Sequence, residues 1–205
     1  MIYLIGGPAR DGKSTLAKRV RKEIDGMAIA GDAFVKCLQG VLRPEWMPEL
    51  FAANSDDSNR SKTAEAILGR VRTRDEAMWV FYRHYVEETV KVSGDDLLIE
   101  GCIWPDLLAS LGVDHRAVFL IDTSTDDRRL RQIRDDETVE HNWMREQSDY
   151  YTDEELVEWA KFNALRARRY RDLCLEHGYT YFDIAEGGIG KAEDAAFEYL
   201  LKKEV

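Results

Sequence analysis

Short apolar runs alternate along the chain with longer segments of helical periodicity. Five runs contain almost no polar residue, and they occupy residues 2–5, 27–30, 97–99, 117–121 and 179–184. Runs of this length without polar alternation are typical of strands that are covered on both faces, as in a parallel sheet. We therefore predict five parallel strands in one sheet.

The segments between these runs carry apolar residues at helical spacing. The first predicted helix has Leu16, Ala17, Val20 and Ile24 on one face, and a longer one covers about residues 62–92. A capping box at 152–155 opens a helix that continues to about His177, and a last helix covers 192–200. Strands that alternate with helices predict a doubly wound α/β fold with right-handed crossovers. The alternative, an all-helical bundle, requires all five apolar runs to be loops.

Composition narrows the class of protein. The chain has 205 residues, of which 44% are hydrophobic and 33% are charged, and it contains no repeat or linker. This predicts one globular domain over residues 1–205. No segment approaches the roughly 20 apolar residues that span a bilayer, so we expect no membrane partner. Three widely separated cysteines suit a reducing compartment, and we expect a cytoplasmic location.

The charge balance is acidic. Lys plus Arg number 29 against 39 Asp plus Glu, which gives a net charge of −10. Nucleic-acid binding draws its affinity from basic side chains that neutralise phosphates, so this balance argues against a nucleic-acid partner. The sequence specifies no oligomeric state.

One motif carries clear chemistry. Residues 7–14 read Gly-Pro-Ala-Arg-Asp-Gly-Lys-Ser, are followed by Thr15, and match G-x-x-x-x-G-K-[ST] between a predicted strand and an amphipathic helix. In such a loop, backbone N–H groups and the helix N-terminus surround phosphate oxygens. We predict ATP binding by Gly7, Asp11, Gly12, Lys13, Ser14 and Thr15, with Lys13 also catalytic and Ser14 a ligand of Mg²⁺. The alternative is a glycine-rich turn that matches by chance.

Missing motifs exclude several classes of NTPase. The chain has no Asn-Lys-x-Asp sequence, no Asp-x-x-Gly after the third predicted strand and no Leu-Ser-Gly-Gly stretch. These absences argue against a GTPase switch and a transporter ATPase. The chain is also too short for the additional domains of a ring-forming unfoldase, which leaves a compact kinase.

The order of elements resembles that of the P-loop small-molecule kinases. The shared features are the strand–loop–helix start, an acid after the second strand and an arginine-rich helix after the fourth. This superfamily includes adenylate, shikimate, gluconate and 2-phosphoglycerate kinases and zeta-type kinase toxins. The resemblance covers the whole chain, but only the loop is specific, and Ser14 stands where adenylate kinases have glycine.

The resemblance implies both a fold and an activity. The fold is a three-layer P-loop NTPase sandwich with a five-stranded parallel sheet in the order 2-3-1-4-5. A helical lid is expected at about residues 124–152, and an acceptor pocket at about residues 33–62. The implied activity is ATP- and Mg²⁺-dependent phosphorylation of a small metabolite that bears a hydroxyl or phosphate group.

Two carboxylates follow predicted strands, at the sheet edge where such folds bind ligands. Asp32 follows the second strand and is a candidate catalytic base, or alternatively the N-cap of a helix that begins at Ala33. Glu100 ends the third strand and is a candidate Mg²⁺ ligand, or the base if Asp32 is not. It could instead be a strand-end charge that pairs with Lys13.

Four arginines lie within the seven residues 128–134, in the helix predicted after the fourth strand. The resemblance implies that Arg128 or Arg129 lies on the adenine, and that Arg131 and Arg134 stabilise the phosphoryl group in transfer. Ion pairs with neighbouring aspartates are the alternative.

Other side chains have weaker assignments. Arg43, Arg60 and Lys62 could grip an anionic acceptor, and Trp104 could wall the pocket or belong to the core.

Two other functions remain open. The chain could be a regulatory module that binds ATP without transferring a phosphoryl group. It could also be a polynucleotide 5′-kinase, which requires a basic channel beside Asp32.

Overall fold

The computed structural model of the chain describes residues 1–9, 11–53, 63–135 and 152–202, without the side chains of residues 129, 133 and 134. The strands in these ranges are β1 (Ile2–Gly6), β2 (Gly26–Ala30), β3 (Asp96–Glu100), β4 (His115–Ile121) and β5 (Thr180–Asp183). The helices are α1 (Lys13–Val20), α2 (Gly31–Val41), α3 (Ala64–Val92), α4 (Pro105–Leu108), α5 (Asp127–Asp135), α6 (Asp153–His177) and α7 (Ile189–Leu201). Short 3-10 helices occupy Pro48–Phe51 and Ile184–Glu186.

The five strands form one parallel sheet in the order β2-β3-β1-β4-β5. This confirms the predicted fold class and strand order, and it excludes the all-helical bundle. Glu100 lies opposite Ile5 of β1 and opposite Ala30 of β2. The carboxyl ends of the three adjacent strands therefore meet at one edge, beside the glycine-rich loop.

The core consists of two apolar layers, one on each face of the sheet. Successive strand residues point to opposite faces, so the members of each buried run divide between the two layers. Leu4, Leu97, Ile99, Phe119 and Ile121 pack with residues of α3 and α6. Ile5, Leu98, Val118 and Leu120 pack with residues of α1 and α7. The apolar runs lack polar alternation because both faces of the central strands are covered.

Strand β2 departs from this pattern. Its sequence predicts burial on both faces, whereas four of its five residues are exposed and Met27 keeps 45% of its surface accessible. The physical reason is position, because β2 lies at the edge of the sheet and pairs only with β3.

Several predicted regions extend beyond the described residues. Of the predicted lid, residues 136–151 lie outside them, and of the predicted acceptor region, residues 54–62 do. The candidate residues Arg60 and Lys62 fall in the second segment. Within the described ranges, no helix combines the length and the apolar character needed to cross a bilayer.

Candidate active site

The backbone of the glycine-rich loop takes a conformation that two of its residues allow only as glycine. Gly7 has φ 134° and Gly12 has φ 82°, in the region that L side chains avoid. At Gly7 there is also no room, because a Cβ atom would collide with the carbonyl oxygen of Leu120 in β4. The loop is therefore seated directly on the neighbouring strand.

Helix α1 begins where the loop ends, and its first turn contains no acidic residue. Gly12 is the N-cap and supplies no side-chain hydrogen bond. The N–H groups of a first helical turn and the helix dipole favour an anion at this end. Asp11 is buried within the loop, whereas Ser14 and Thr15 are exposed on the first turn.

The side chain of Lys13 lies across the loop and not in solvent. Only 8% of this residue is exposed, and its Nζ donates a hydrogen bond to the carbonyl oxygen of Pro8. The ammonium group is therefore held against the backbone of the glycine-rich loop.

Ser14 and Glu100 converge at the strand edge. The Ser14 hydroxyl donates to Oε1 of Glu100 at 3.4 Å, although 86 residues separate them in sequence. Burial raises the pKa of the Glu100 carboxyl, and the nearby charge of Asp32 raises it further. The positive charge of Lys13 and the Ser14 hydroxyl oppose that rise. All four groups therefore share one electrostatic environment.

Asp32 lies in the first turn of α2 and is exposed. The helix begins at Gly31 with Ala30 as its N-cap, so the alternative that Asp32 caps a helix from Ala33 is wrong. The first helical residue, Gly31, fits tightly against β3. A Cβ at this position would lie 2.7 Å from the carbonyl oxygen of Glu100 and 2.7 Å from the hydroxyl of Tyr82. Asp32 is thereby presented beside Glu100 with its carboxylate accessible.

These groups fit Mg²⁺ bound together with a nucleotide. Mg²⁺ usually keeps several waters and takes one or two protein ligands plus substrate phosphates. The Ser14 hydroxyl and the Glu100 carboxylate form such a sparse donor set beside the loop. Among the described residues, no group of three or more His, Cys, Asp or Glu side chains could hold a metal by itself.

Comparison with known proteins adds resemblance in fold only. No protein family model and no curated protein matches the sequence. A shikimate kinase from Acinetobacter baumannii, solved in complex with shikimate, has 15% identity and a TM-score of 0.49, covering 98% of this chain and 92% of its own. A shikimate kinase from Bacteroides thetaiotaomicron has 16% identity and the same TM-score, with 97% of each chain covered.

A third similar structure, an uncharacterized protein from Eubacterium ventriosum, has 10% identity and a TM-score of 0.49, with 99% of each chain covered. At such identities and scores these structures identify no activity. The only basis for assigning an activity to this chain is the glycine-rich loop and the carboxylates at the strand ends.

The raised pKa of Glu100 gives a testable pH dependence. A carboxylate whose folded-state pKa exceeds its ordinary value destabilises the fold when it is charged, and this cost disappears as pH falls through the folded pKa. In metal-free, nucleotide-free buffer, Glu100→Gln is therefore expected to raise Tm at pH 7 to 8. The difference from wild type should shrink to about zero below pH 4.5, the ordinary pKa of Glu, where both side chains are neutral. Thermal unfolding of both proteins across this range checks it, and a pH-independent difference would contradict it.

The arginine-rich segment forms helix α5, as predicted. The guanidinium group of one candidate residue, Arg131, is already paired with carboxylates. Arg131 makes ion pairs with Asp127 at 3.1 Å and with Asp153 of α6 at 2.9 Å. The pair with Asp127 is the ion pairing that was expected as the alternative role. The pair with Asp153 also joins α5 to a second helix. Arg128 is exposed, and the side chains of Arg129 and Arg134 lie outside what the structure describes. The catalytic and adenine-binding roles of these four arginines stay predictions.

Two other sequence candidates have different surroundings from those expected for an acceptor site. Arg43 stacks over the ring of Trp46, with 5.2 Å from the guanidinium carbon to the ring centroid. Trp104 is 1% exposed and belongs to the core, as the structural alternative predicted.

The structure also contains a buried ion pair that the sequence did not predict. Asp75 of α3 and Arg166 of α6 form an ion pair at 2.9 Å, although each lies in an otherwise apolar helix face. The sequence feature that could have indicated this pair is the position of its residues within helical patterns. Asp75 continues the buried series Val71, Met78 and Tyr82 at helical spacing, where an apolar residue is expected.

Proposed function

We propose that the chain is an ATP-dependent phosphotransferase that phosphorylates a small molecule bearing a hydroxyl or phosphate group. The observation that carries this proposal is the convergence of a phosphate loop with two carboxylates of different exposure. Lys13 is held over the loop, Glu100 is half-buried beside Ser14, and Asp32 is accessible next to them. A module that only binds a nucleotide does not need the accessible carboxylate.

In the proposed reaction the loop N–H groups and Lys13 hold the β- and γ-phosphates of ATP. Asp32 accepts the proton of the acceptor hydroxyl as the oxygen attacks the γ-phosphorus. The new oxygen–phosphorus bond forms while the bond from the γ-phosphorus to the β–γ bridging oxygen breaks, and ADP leaves with that oxygen. Mg²⁺, held by Ser14 and Glu100 with phosphate oxygens, would neutralise charge on the phosphates. Lid arginines would stabilise the phosphoryl group in transfer.

The test is ATP turnover with a panel of small hydroxyl compounds and nucleoside monophosphates. Asp32→Asn is expected to lower kcat by about 10²- to 10⁴-fold, the usual contribution of a general base, while the affinity for ATP changes little. The variant should fold normally because Asp32 is exposed. Lys36→Gln, an exposed charge change on the same helix, is the matched control.

Three outcomes would separate the parts of the proposal. ATP binding without consumption of any acceptor would favour the regulatory module. Transfer that Asp32→Asn leaves unchanged would remove Asp32 as the base and leave the phosphotransferase intact. Phosphorylation of a DNA or RNA 5′ end in preference to small molecules would favour the polynucleotide kinase.

A further inference from the structure

A carboxylate from the last helix lies directly against the end of the glycine-rich loop. A Cβ atom on Gly12 would collide with Oε1 of Glu193 in α7 and would lie 3.2 Å from its carboxyl carbon. The glycine at this position therefore leaves the room that the carboxylate occupies. Gly12 is also the N-cap of α1, so the negative charge of Glu193 lies at the positive end of that helix.

The packing of α7 fixes this carboxylate in place. Ala192, Ala196 and Leu200 are buried in the same apolar layer as the inner face of α1. Ile189 precedes Glu193 by four residues, so the two side chains share one face of α7. The Cδ1 atom of Ile189 would lie 3.2 Å from the same Cβ atom at position 12. The carboxylate is thus half-buried in the wall beside the loop and does not belong to a solvated helix face.

Among the described residues, no cation forms an ion pair with Glu193, and the carboxylate accepts no hydrogen bond. Arg19 of α1 is within electrostatic reach, but its guanidinium pairs with Asp194 at 2.8 Å. The same guanidinium stacks over Phe197, with 4.7 Å from its central carbon to the ring centroid. Burial raises the pKa of the Glu193 carboxyl, the charge of Arg19 opposes that rise, and the charge of Asp194 adds to it. The negative charge of Glu193 therefore acts on the loop without a paired cation.

This charge has opposite effects before and after a nucleotide binds. In the proposed reaction, nucleotide phosphates bind the N–H groups of the loop and of the first turn of α1. Gly12 is common to both, because it is the last loop residue and the N-cap of the helix. Without a nucleotide, the carboxylate beside Gly12 interacts favourably with the helix dipole. With a nucleotide, it repels the phosphate groups that arrive at the same helix end.

We propose that Glu193 limits the affinity of the loop for nucleotides through its charge. The repulsion acts on phosphate groups, so it weakens the binding of a nucleoside diphosphate or triphosphate and leaves that of a nucleoside unchanged. ADP, the product that remains in the loop after transfer, is thereby released more readily. This inference rests on the proposed phosphotransferase and assigns to α7 a part in nucleotide binding and release.

The test is calorimetric titration with ADP and Mg²⁺ at pH 8, where a glutamate carboxyl is ionised. Glu193→Gln keeps the size of the side chain and removes its charge. We expect the Kd for ADP to fall by about 2- to 30-fold, the range that a charge at a helix terminus gives. Glu198→Gln is the matched control, because it makes the same charge change at an exposed position of the same helix. It should leave the Kd within about twofold of wild type.

Two further measurements separate the charge of Glu193 from its packing. Adenosine has the base and sugar of ADP without phosphates, so its Kd should agree within about twofold between wild type and Glu193→Gln. The rise in Tm with adenosine concentration gives this comparison if the heat of binding is small. Glu193→Asp keeps the charge but withdraws it from Gly12 by one methylene group. We therefore expect this variant to have a Kd for ADP between those of wild type and Glu193→Gln.

The outcomes distinguish the two proposals. If Glu193→Gln binds ADP more tightly but no acceptor is phosphorylated by wild type, the phosphotransferase is wrong and the role of Glu193 stands. If an acceptor is phosphorylated but Glu193→Gln binds ADP no more tightly than wild type, the role of Glu193 is wrong and the phosphotransferase stands. Equal tightening of ADP and adenosine would also overturn this role, because packing and not phosphate charge would then be the cause. Absence of ADP binding in both proteins would overturn both proposals.

Discussion

Lys13→Ala is expected to lower ATP turnover by at least about 10²- to 10³-fold, the usual effect of removing one preorganised group that stabilises transition-state charge. Lys13 is the residue whose ammonium group lies over the loop, bound to the Pro8 carbonyl. No neighbouring side chain of α1 can replace it, because Lys18 and Arg19 project from later turns of the helix. A coupled assay of ADP release, with Tm measured in parallel, checks this expectation.

The matched control for this experiment is Lys18→Ala. Lys18 is exposed on the same helix and carries the same charge, so its removal should leave turnover within about twofold, as is usual for surface changes away from a site. Wild-type turnover in Lys13→Ala would rule out the loop as the phosphate site and, with it, the phosphotransferase.

Arg166→Met is expected to lower the free energy of unfolding by about 3–5 kcal/mol, because it leaves the Asp75 carboxylate buried without one of its two guanidinium partners. Asp75 and Arg166 have side-chain exposures of 2% and 3%, so water does not compensate for the loss. Arg74 still pairs with the other oxygen of Asp75, which is why the protein should remain folded at 25 °C. Urea unfolding gives the value.

Two further variants show whether the buried charge is the cause. Arg168→Met, an exposed change two residues along α6, should alter stability by less than about 0.5 kcal/mol. Asp75→Asn combined with Arg166→Met should recover part of the loss, because the amide oxygen can still accept from Trp104 but carries no charge. A loss below about 1 kcal/mol in Arg166→Met alone would contradict the prediction, since breaking a buried pair costs several times more.

The sequence was sufficient for the sheet and the loop because both depend on local pattern. The buried strand residues alternate between two covered faces, which leaves an unbroken apolar run in the sequence. The loop is defined by two glycines at positive φ and the lysine after them, all within eight residues. The exposure of β2 does not follow from its own apolar run; it follows from its place at the sheet edge, which only the strand order implied by the resemblance indicated.

The buried ion pair depends on contacts between distant helices. Asp75 and Arg166 are 91 residues apart, and each by itself is a polar exception in an apolar helix face. Only the packing of α3 against α6 shows that these two polar side chains lie next to each other. Arg131 illustrates the same limit, because its pair with Asp127 follows from i,i+4 spacing whereas its pair with Asp153 requires the tertiary structure.

The hydrogen bond from Lys13 to the Pro8 carbonyl has a consequence for nucleotide affinity. A lysine side chain loses up to about 2 kcal/mol of rotamer entropy when it is fixed. In this chain that loss occurs during folding, so an arriving phosphate exchanges one oxygen acceptor for another and immobilises no further side chain. Nucleotide binding should therefore show a smaller entropic penalty than it would if the same ammonium group were free in solvent.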